Sequence, residues 1–140
     1  MAQQVREVMT RDPVAVSPQT PLVEVARRMR DENIGDVLVI EEDHLRGVVT
    51  DRDLVVRALA EGADISSKPV REVCSAEMIT VSPDDDVDRA IQLMRERAIR
   101  RLPVVEEEDR PVGVVSLGDL AVDRDPQSAL GDISAADPNK

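Results

Sequence analysis

The chain says nearly the same thing twice, 65 residues apart. Val5-Arg6-Glu7-Val8 returns as Val70-Arg71-Glu72-Val73, and Val16-Ser17-Pro18 as Val81-Ser82-Pro83. Met29-Arg30 returns as Met94-Arg95, Ile34 as Ile99, and Glu41-Glu42 as Glu106-Glu107. After one inserted residue, Gly47-Val48-Val49 returns as Gly113-Val114-Val115, and Asp53-Leu54 as Asp119-Leu120. A self-match at constant spacing marks two copies of one supersecondary unit. A unit of this size buries too little surface to be stable alone, so the copies are expected to pack on each other with pseudo-two-fold symmetry. Ligands often sit where such units meet.

Each copy predicts the order β-α-β-β-α. An extended entry piece comes first, Pro13-Val14-Ala15-Val16 and Met78-Ile79-Thr80-Val81. Ser-Pro follows in both, a pattern expected at a helix start, with serine as cap and proline in the first turn. Apolar residues then recur at helical spacing: Leu22, Val25, Ala26 and Met29, and in the second copy Val87, Ala90, Ile91 and Met94. Strands are expected at Val37-Leu38-Val39-Ile40 and Leu102-Pro103-Val104-Val105. Acidic turns come next, then further strands at Gly47–Thr50 and Gly113–Ser116. A second helix starts right after each. The expected division is copy one over 5–61, a connection over 62–69, copy two over 70–122, and a poorly ordered acidic tail over 123–140.

The chain has no aromatic residue, so its core must be built from Val, Leu, Ile, Ala and Met. With 18 basic and 29 acidic residues the net charge is −11. That field repels nucleic acid and anionic membrane. A local arginine pocket can still outweigh it for a small anion, because the distant charges are screened. The single cysteine, Cys74, aligns with Met9 and reads as an apolar filler. One cysteine allows no internal disulfide, which fits a reducing, cytoplasmic setting. No secretory leader is read at the start, and no apolar run reaches bilayer length.

The repeated β-α-β-β-α order carries Met-Thr before Pro-Val, Ser-Pro before the first helix, and Gly47-Val48-Val49-Thr50-Asp51-Arg52-Asp53 at the second. This pattern resembles the cystathionine β-synthase (CBS) domain, and two in tandem look like a stand-alone Bateman module. The resemblance covers residues 5 to 122. It implies an α/β (α+β) fold of two CBS repeats. It also implies a regulatory module that binds an adenine nucleotide or adenosyl compound between its repeats, and a homodimer.

Thr50 and Asp53, like Ser116 and Asp119, stand at a strand-to-helix corner with capping-box spacing, which alone explains them. A helix start can also take a phosphate, and a carboxylate can accept ribose hydroxyls. In the resembled family the Thr/Ser-x-x-Asp carboxylate contacts ribose. Arg100-Arg101 precede a strand; they read either as a surface pair balancing the acidic turn or as a phosphate site suited to the guanidinium fork. In a member of the family, the regulatory subunit of AMP-activated protein kinase, a basic pair at this place faces phosphate. Copy one carries Gly35 and Asp36 there, and a carboxylate repels phosphate.

The resemblance therefore implies two unequal sites. The favoured one joins Thr50, Asp53, Ser75, Ile79, Thr80, Ile99, Arg100 and Arg101, and suits AMP, ADP or ATP. The weaker one joins Thr10, Val14, Ala15, Ile34, Asp36, Ser116 and Asp119. It is either empty or takes an uncharged or cationic adenosyl group such as S-adenosylmethionine. No cofactor is required and no metal site is read, since His44 is the only histidine and lies in an acidic turn. No nucleophile–base arrangement appears, so an enzyme is not expected. The alternative is a dimeric structural or protein-interaction module whose clefts have lost their ligands. An unidentified protein target is expected in either case.

Overall fold

The computed structural model describes residues 3–75, 78–125 and 127–136. It divides into two compact units that cut across the repeat: Val14–Met78 form unit one, and Met1–Pro13 with Ile79–Lys140 form unit two. The opening segment of each copy, 5–13 and 70–78, thus belongs to the unit built from the other copy and is called its entry segment below.

The first strand, β1 (Thr10–Arg11), accordingly belongs to unit two. Unit one holds β2 (Ala15–Val16), α1 (Leu22–Glu32), β3 (Asp36–Glu41), β4 (His44–Thr50) and α2 (Asp51–Asp53), which runs on as a π-helical stretch over Leu54–Leu59. Strand β2 lies parallel to β3, and β3 antiparallel to β4. The β3–β4 hairpin turns on Glu42 and Asp43, both at positive φ, as a two-residue hairpin loop with the strand twist demands. Ser75 bridges to Val48 on the free side of β4.

Unit two holds α3 (Val87–Arg97), β5 (Arg101–Glu106), β6 (Arg110–Ser116), α4 (Leu117–Arg124) and α5 (Ala129–Ala135). Its sheet runs β1-β6-β5, with Thr10 opposite Val114 and Arg11 opposite Gly113. Val81 adds a parallel bridge to Val104 at the far edge. The two sheets are therefore the same sheet drawn twice, each edged by an entry segment from the other copy.

Each unit closes its own aliphatic core. In unit one, Leu22, Val25 and Met29 of α1 meet Val37, Val39 and Val49 of the sheet, with Ala58, Val70 and Val73. In unit two, Val87, Ala90, Leu93 and Met94 of α3 meet Leu102, Val104 and Val115, with Val5, Val81 and Leu120. The entry residues Val5 and Val70 are each 0% exposed.

Two expectations are corrected. Ser17-Pro18 and Ser82-Pro83 do not start the helices. They form β-turns, closed by Thr20 N–H to the Ser17 carbonyl at 3.1 Å and Asp85 N–H to the Ser82 carbonyl at 3.0 Å. Serine and proline suit the first two positions of a turn as well as a helix start. In copy one Pro21 decides between them, because a proline holds the residue before it out of the helical region. The helices begin at Leu22 and Val87, whose N–H groups donate to the carbonyls of Lys68 at 3.0 Å and Gln3 at 2.8 Å.

The second correction concerns the tail. Composition predicted little order beyond Val122, yet α4 reaches Arg124 and α5 follows it. Ser128 caps α5 by accepting from the Gly131 N–H at 3.0 Å. The buried Gly131 and the bare backbone at Gly118 let α5 lie close on α4. Packing supplies the order that composition did not announce. Residues 126 and 137–140 of that tail lie outside the described residues.

Candidate functional site

Two corners of each unit carry the residues singled out from sequence. At the end of each first helix the backbone turns left-handed, at Asn33 (φ 56°) and Ala98 (φ 55°). The next N–H reaches back five residues in Schellman fashion, Ile34 to the Met29 carbonyl at 3.0 Å and Ile99 to the Met94 carbonyl at 3.2 Å. Ile34 and Ile99 then pack on their cores. This lock sends Gly35-Asp36 and Arg100-Arg101 into the strands at a defined angle.

The second corner is the strand-to-helix turn, and both copies build the full capping box. In unit one the Asp53 N–H donates to Thr50 Oγ1 at 3.1 Å, and the Thr50 N–H to Asp53 Oδ2 at 2.8 Å. In unit two the Asp119 N–H donates to Ser116 Oγ at 3.0 Å, and the Ser116 N–H to Asp119 Oδ2 at 3.0 Å. Asp53 keeps its other oxygen toward Arg57, with Nε at 3.6 Å from Oδ1. An ionised carboxylate has about four acceptor positions, so the cap leaves each aspartate able to accept more. Ser116→Ala should lower stability by about 1 kcal/mol through loss of the cap; urea denaturation followed by circular dichroism reads this.

Antiparallel register sets the two corners side by side within each unit. Arg101 stands opposite Ser116, and the Leu117 N–H donates to the Arg100 carbonyl at 2.8 Å. Likewise Asp36 stands opposite Thr50, and the Asp51 N–H donates to the Gly35 carbonyl at 3.0 Å. Unit two thus gathers Ser116, Asp119, Ile99, Arg100 and Arg101 at one end of its sheet. Thr10 lies on β1, and Ile79 packs on the same unit's core. Thr80 is half-buried beside Val81. Unit one gathers Thr50, Asp53, Ile34 and Asp36, with Ala15 opposite Leu38, Val14 accepting from the Leu38 N–H at 3.0 Å, and Ser75 opposite Val48. The favoured set therefore draws Thr50, Asp53 and Ser75 from unit one and its other members from unit two. The weaker set draws Val14, Ala15, Ile34 and Asp36 from unit one and Thr10, Ser116 and Asp119 from unit two.

One feature escaped sequence reasoning. Unit two holds an open cavity of about 430 Å³ lined by Glu7, Val8, Asp119, Val122, Asp123, Ser134 and Ala135. Nothing in the composition of the tail points to Ser134 or Ala135 as neighbours of Asp119. Cys74 is half-buried against the core of unit one, and burial pushes its thiol above the ordinary range. That suits a packed side chain better than a reactive thiolate. Among the described residues no cluster of His, Cys, Asp and Glu is placed to hold a metal ion, and no helix is long and apolar enough to cross a membrane.

The CBS domain family model matches twice, over residues 5–59 and 70–122. The chain belongs to the CBS domain family. As a tandem CBS chain it is 39% identical over 127 residues to the CBS domain-containing protein YhcV of Bacillus subtilis, covering 91% of this chain and 89% of that one. Hypoxic response protein I, a Mycobacterium tuberculosis protein, has been solved with two coordinated zinc ions. Its structure superposes with a TM-score of 0.77 at 30% identity, covering 84% of this chain and 96% of that one. The CBS domain pair of protein MJ0100 has been solved with 5-methylthioadenosine and S-adenosyl-L-methionine. It superposes with a TM-score of 0.77 at 26% identity, covering 84% and 92%. The mixed fold with two small sheets is that of a CBS pair.

Proposed function

We propose that this tandem CBS chain is a regulatory module that binds an adenine nucleotide or adenosyl ligand and catalyses no reaction on it. The observation that carries the reading is the arginine pair at the corner of unit two, with Arg101 opposite Ser116 and the Arg100 carbonyl held by the Leu117 N–H; in the favoured set these cations serve with the carboxylate of Asp53. Cations for a phosphate and a half-used carboxylate for ribose hydroxyls are what a nucleotide needs. Asp36 stands in copy one where Arg101 stands in copy two, and it disfavours phosphate in the weaker set, whose other carboxylate is Asp119. The adenosyl ligands of MJ0100, one cationic and one uncharged, support the broader class. Without aromatic residues the adenine is held by aliphatic side chains and backbone hydrogen bonds, not by ring stacking.

The module acts in the cytoplasm as a homodimer that reports ligand to a protein target. A ligand does so only by binding two states of the module with different affinity. The alternative, a ligand-free interaction module, draws on one observation: the capping boxes account for Thr50, Asp53, Ser116 and Asp119 without any ligand.

Dye-based thermal shift and calorimetry against AMP, ADP, ATP, S-adenosylmethionine and methylthioadenosine separate the two. A ligand at about a hundred times its dissociation constant adds roughly 2.7 kcal/mol, a shift of several degrees for a chain of this size. Arg100→Ala with Arg101→Ala should weaken phosphorylated ligands about tenfold or more, and leave methylthioadenosine binding intact. Asp53→Asn and Asp119→Asn keep a cap acceptor while removing the charge, and each should weaken every adenosyl compound at its own corner. A flat panel for the wild type rejects ligand sensing and leaves the interaction module.

A further inference from the structure

The cavity of unit two has a wall that the chain adds last. Asp119, Val122 and Asp123 of α4 line one side, Glu7 and Val8 of the entry segment a second, and Ser134 and Ala135 of α5 a third. A molecule that fills the cavity therefore touches Asp119 and α5 at once. At about 430 Å³ the space falls within the range of small-molecule sites, about 300–1,000 Å³. Its charged lining consists of carboxylates, Glu7, Asp119 and Asp123. Arg124 Nε stands 3.8 Å from Asp123 Oδ2, but Arg124 does not line the cavity. Such a lining repels phosphate and accepts an uncharged or cationic adenosyl group.

The hold of α5 on α4 is light. Seven residues are too few for a helix to persist by itself. Of the seven only Gly131 is buried, while Leu130 is 45% exposed and Ile133 72%. The helix rests on the bare backbone at Gly118, where an added Cβ would stand 2.8 Å from Ser134 Oγ, and it brings no buried apolar side chain to α4. Elements that open at small cost are the ones a ligand can move. Copy one is built otherwise. Arg52 takes the place of Gly118, beside an intact capping box. The chain beyond the corresponding helix runs to α1, where the Val23 N–H donates to the Ile65 carbonyl at 2.9 Å. The wall that α5 supplies is thus a property of the Asp119 corner.

We infer that α5 is the element that reports an uncharged or cationic adenosyl ligand in the Asp119 cavity: the ligand bridges α4 and α5 and holds a loosely docked helix in place. This rests on the adenosyl reading proposed above and supplies the two states which that reading requires, α5 docked and α5 released. The coupling is reciprocal. A ligand that favours the docked helix binds less well when the helix is held off. What a protein target then reads is whether α5 lies on α4.

Hydrogen exchange read by mass spectrometry on the full chain, beside calorimetry, tests the inference with S-adenosylmethionine, methylthioadenosine and ATP as probes. Either adenosyl probe at about a hundred times its dissociation constant should slow exchange across 128–136 about tenfold or more, and ATP should not. Asp119→Asn should remove the slowing. Gly118→Gln wedges α5 from α4 and spares the capping box, as Arg52 does in copy one. It should speed exchange across 128–136 in the free chain and weaken S-adenosylmethionine about tenfold, with circular dichroism melts to verify folding. Should that variant not fold, wild-type exchange with the three probes decides alone. A wild type that binds none of the probes rejects the ligand reading and this inference together. Binding of ATP alone keeps the reading and rejects the inference. So does adenosyl binding with α5 exchange unchanged, or faster, which would mean that the ligand displaces the helix. A Gly118→Gln chain that releases α5 yet keeps wild-type affinity for S-adenosylmethionine overturns it as well.

Discussion

Gly113→Val should cost the chain about 3 kcal/mol or more, at the upper end of what overpacking a well-filled site costs. The entry segment of copy one crosses β6 at this residue. A Cβ there would stand 2.7 Å from the Thr10 carbonyl oxygen and 2.8 Å from Met9 Sδ. The methionine end can move, but the carbonyl belongs to β1 and is fixed by pairing to the same strand. Copy one repeats the crossing. A Cβ at Gly47 would stand 2.8 Å from Cys74 Sγ and 2.9 Å from the Ser75 carbonyl oxygen, so Gly47→Val should behave alike in unit one. Gly62 is the control. It has nothing within 4 Å and a φ of +76°, so Gly62→Ala should cost only the left-handed strain, about 1 kcal/mol. Urea denaturation followed by circular dichroism ranks the three. A Gly113→Val chain within about 1 kcal/mol of wild type would mean that the crossing is looser than its distances imply.

Those two glycines show what a sequence of this kind discloses and what it hides. The repeat marks Gly47 and Gly113 as equivalent, and alternating valines locate β3 to β6, because a buried strand must be aliphatic in a chain without aromatics. Periodicity likewise places α1 and α3 with their inward residues. What touches those glycines is not legible. Met9 and Cys74 align with each other, yet each packs against the glycine of the other copy's hairpin. Which sheet an edge strand joins depends on chain path, and both choices satisfy the same local pattern. Ser17-Pro18 and Ser82-Pro83 were ambiguous for a local reason: a turn and a helix start reward the same residues.

The candidate site divides in the same way. The Thr50/Asp53 and Ser116/Asp119 spacings are read from sequence and appear as reciprocal hydrogen bonds. The neighbourhood of Arg101 and Ser116 arises from the β5–β6 register, which brings residues 15 apart in sequence opposite each other. The approach of Ser134 to the Asp119 corner depends on α5, a helix whose order comes from packing on Gly118. Tertiary contact overrides weak local propensity in that stretch.

Deleting residues 1–11 should unfold unit two before unit one, although every residue removed precedes copy one. The entry segment supplies Val5, which is 0% exposed, to the core of α3, β5 and β6. It also holds α3 by its end, because the Val87 N–H donates to the Gln3 carbonyl at 2.8 Å. The Val5 N–H donates to Asp85 at 2.9 Å and the Arg6 N–H to Pro83 at 3.1 Å, tying the turn before α3, and β1 covers the free side of β6. Loss of one such buried aliphatic side chain costs about 2–5 kcal/mol, and the edge of β6 and the first turn of α3 lose their partners besides. Against a total stability of about 5–15 kcal/mol, that is enough to open the unit. Hydrogen exchange read by mass spectrometry should show protection falling first across α3, β5 and β6, while α1, β3 and β4 hold theirs longer. The reciprocal change, Val70→Ala, should loosen α1, β3 and β4 instead, because Val70 is buried in the core of unit one and its N–H donates to the Thr20 carbonyl at 2.8 Å. If the deletion exposed α1 and β3 first, each copy would fold on its own entry segment, and the exchange of segments would not govern stability. If both units opened together in each variant, the crossed segments would be joining the two copies into one cooperative fold.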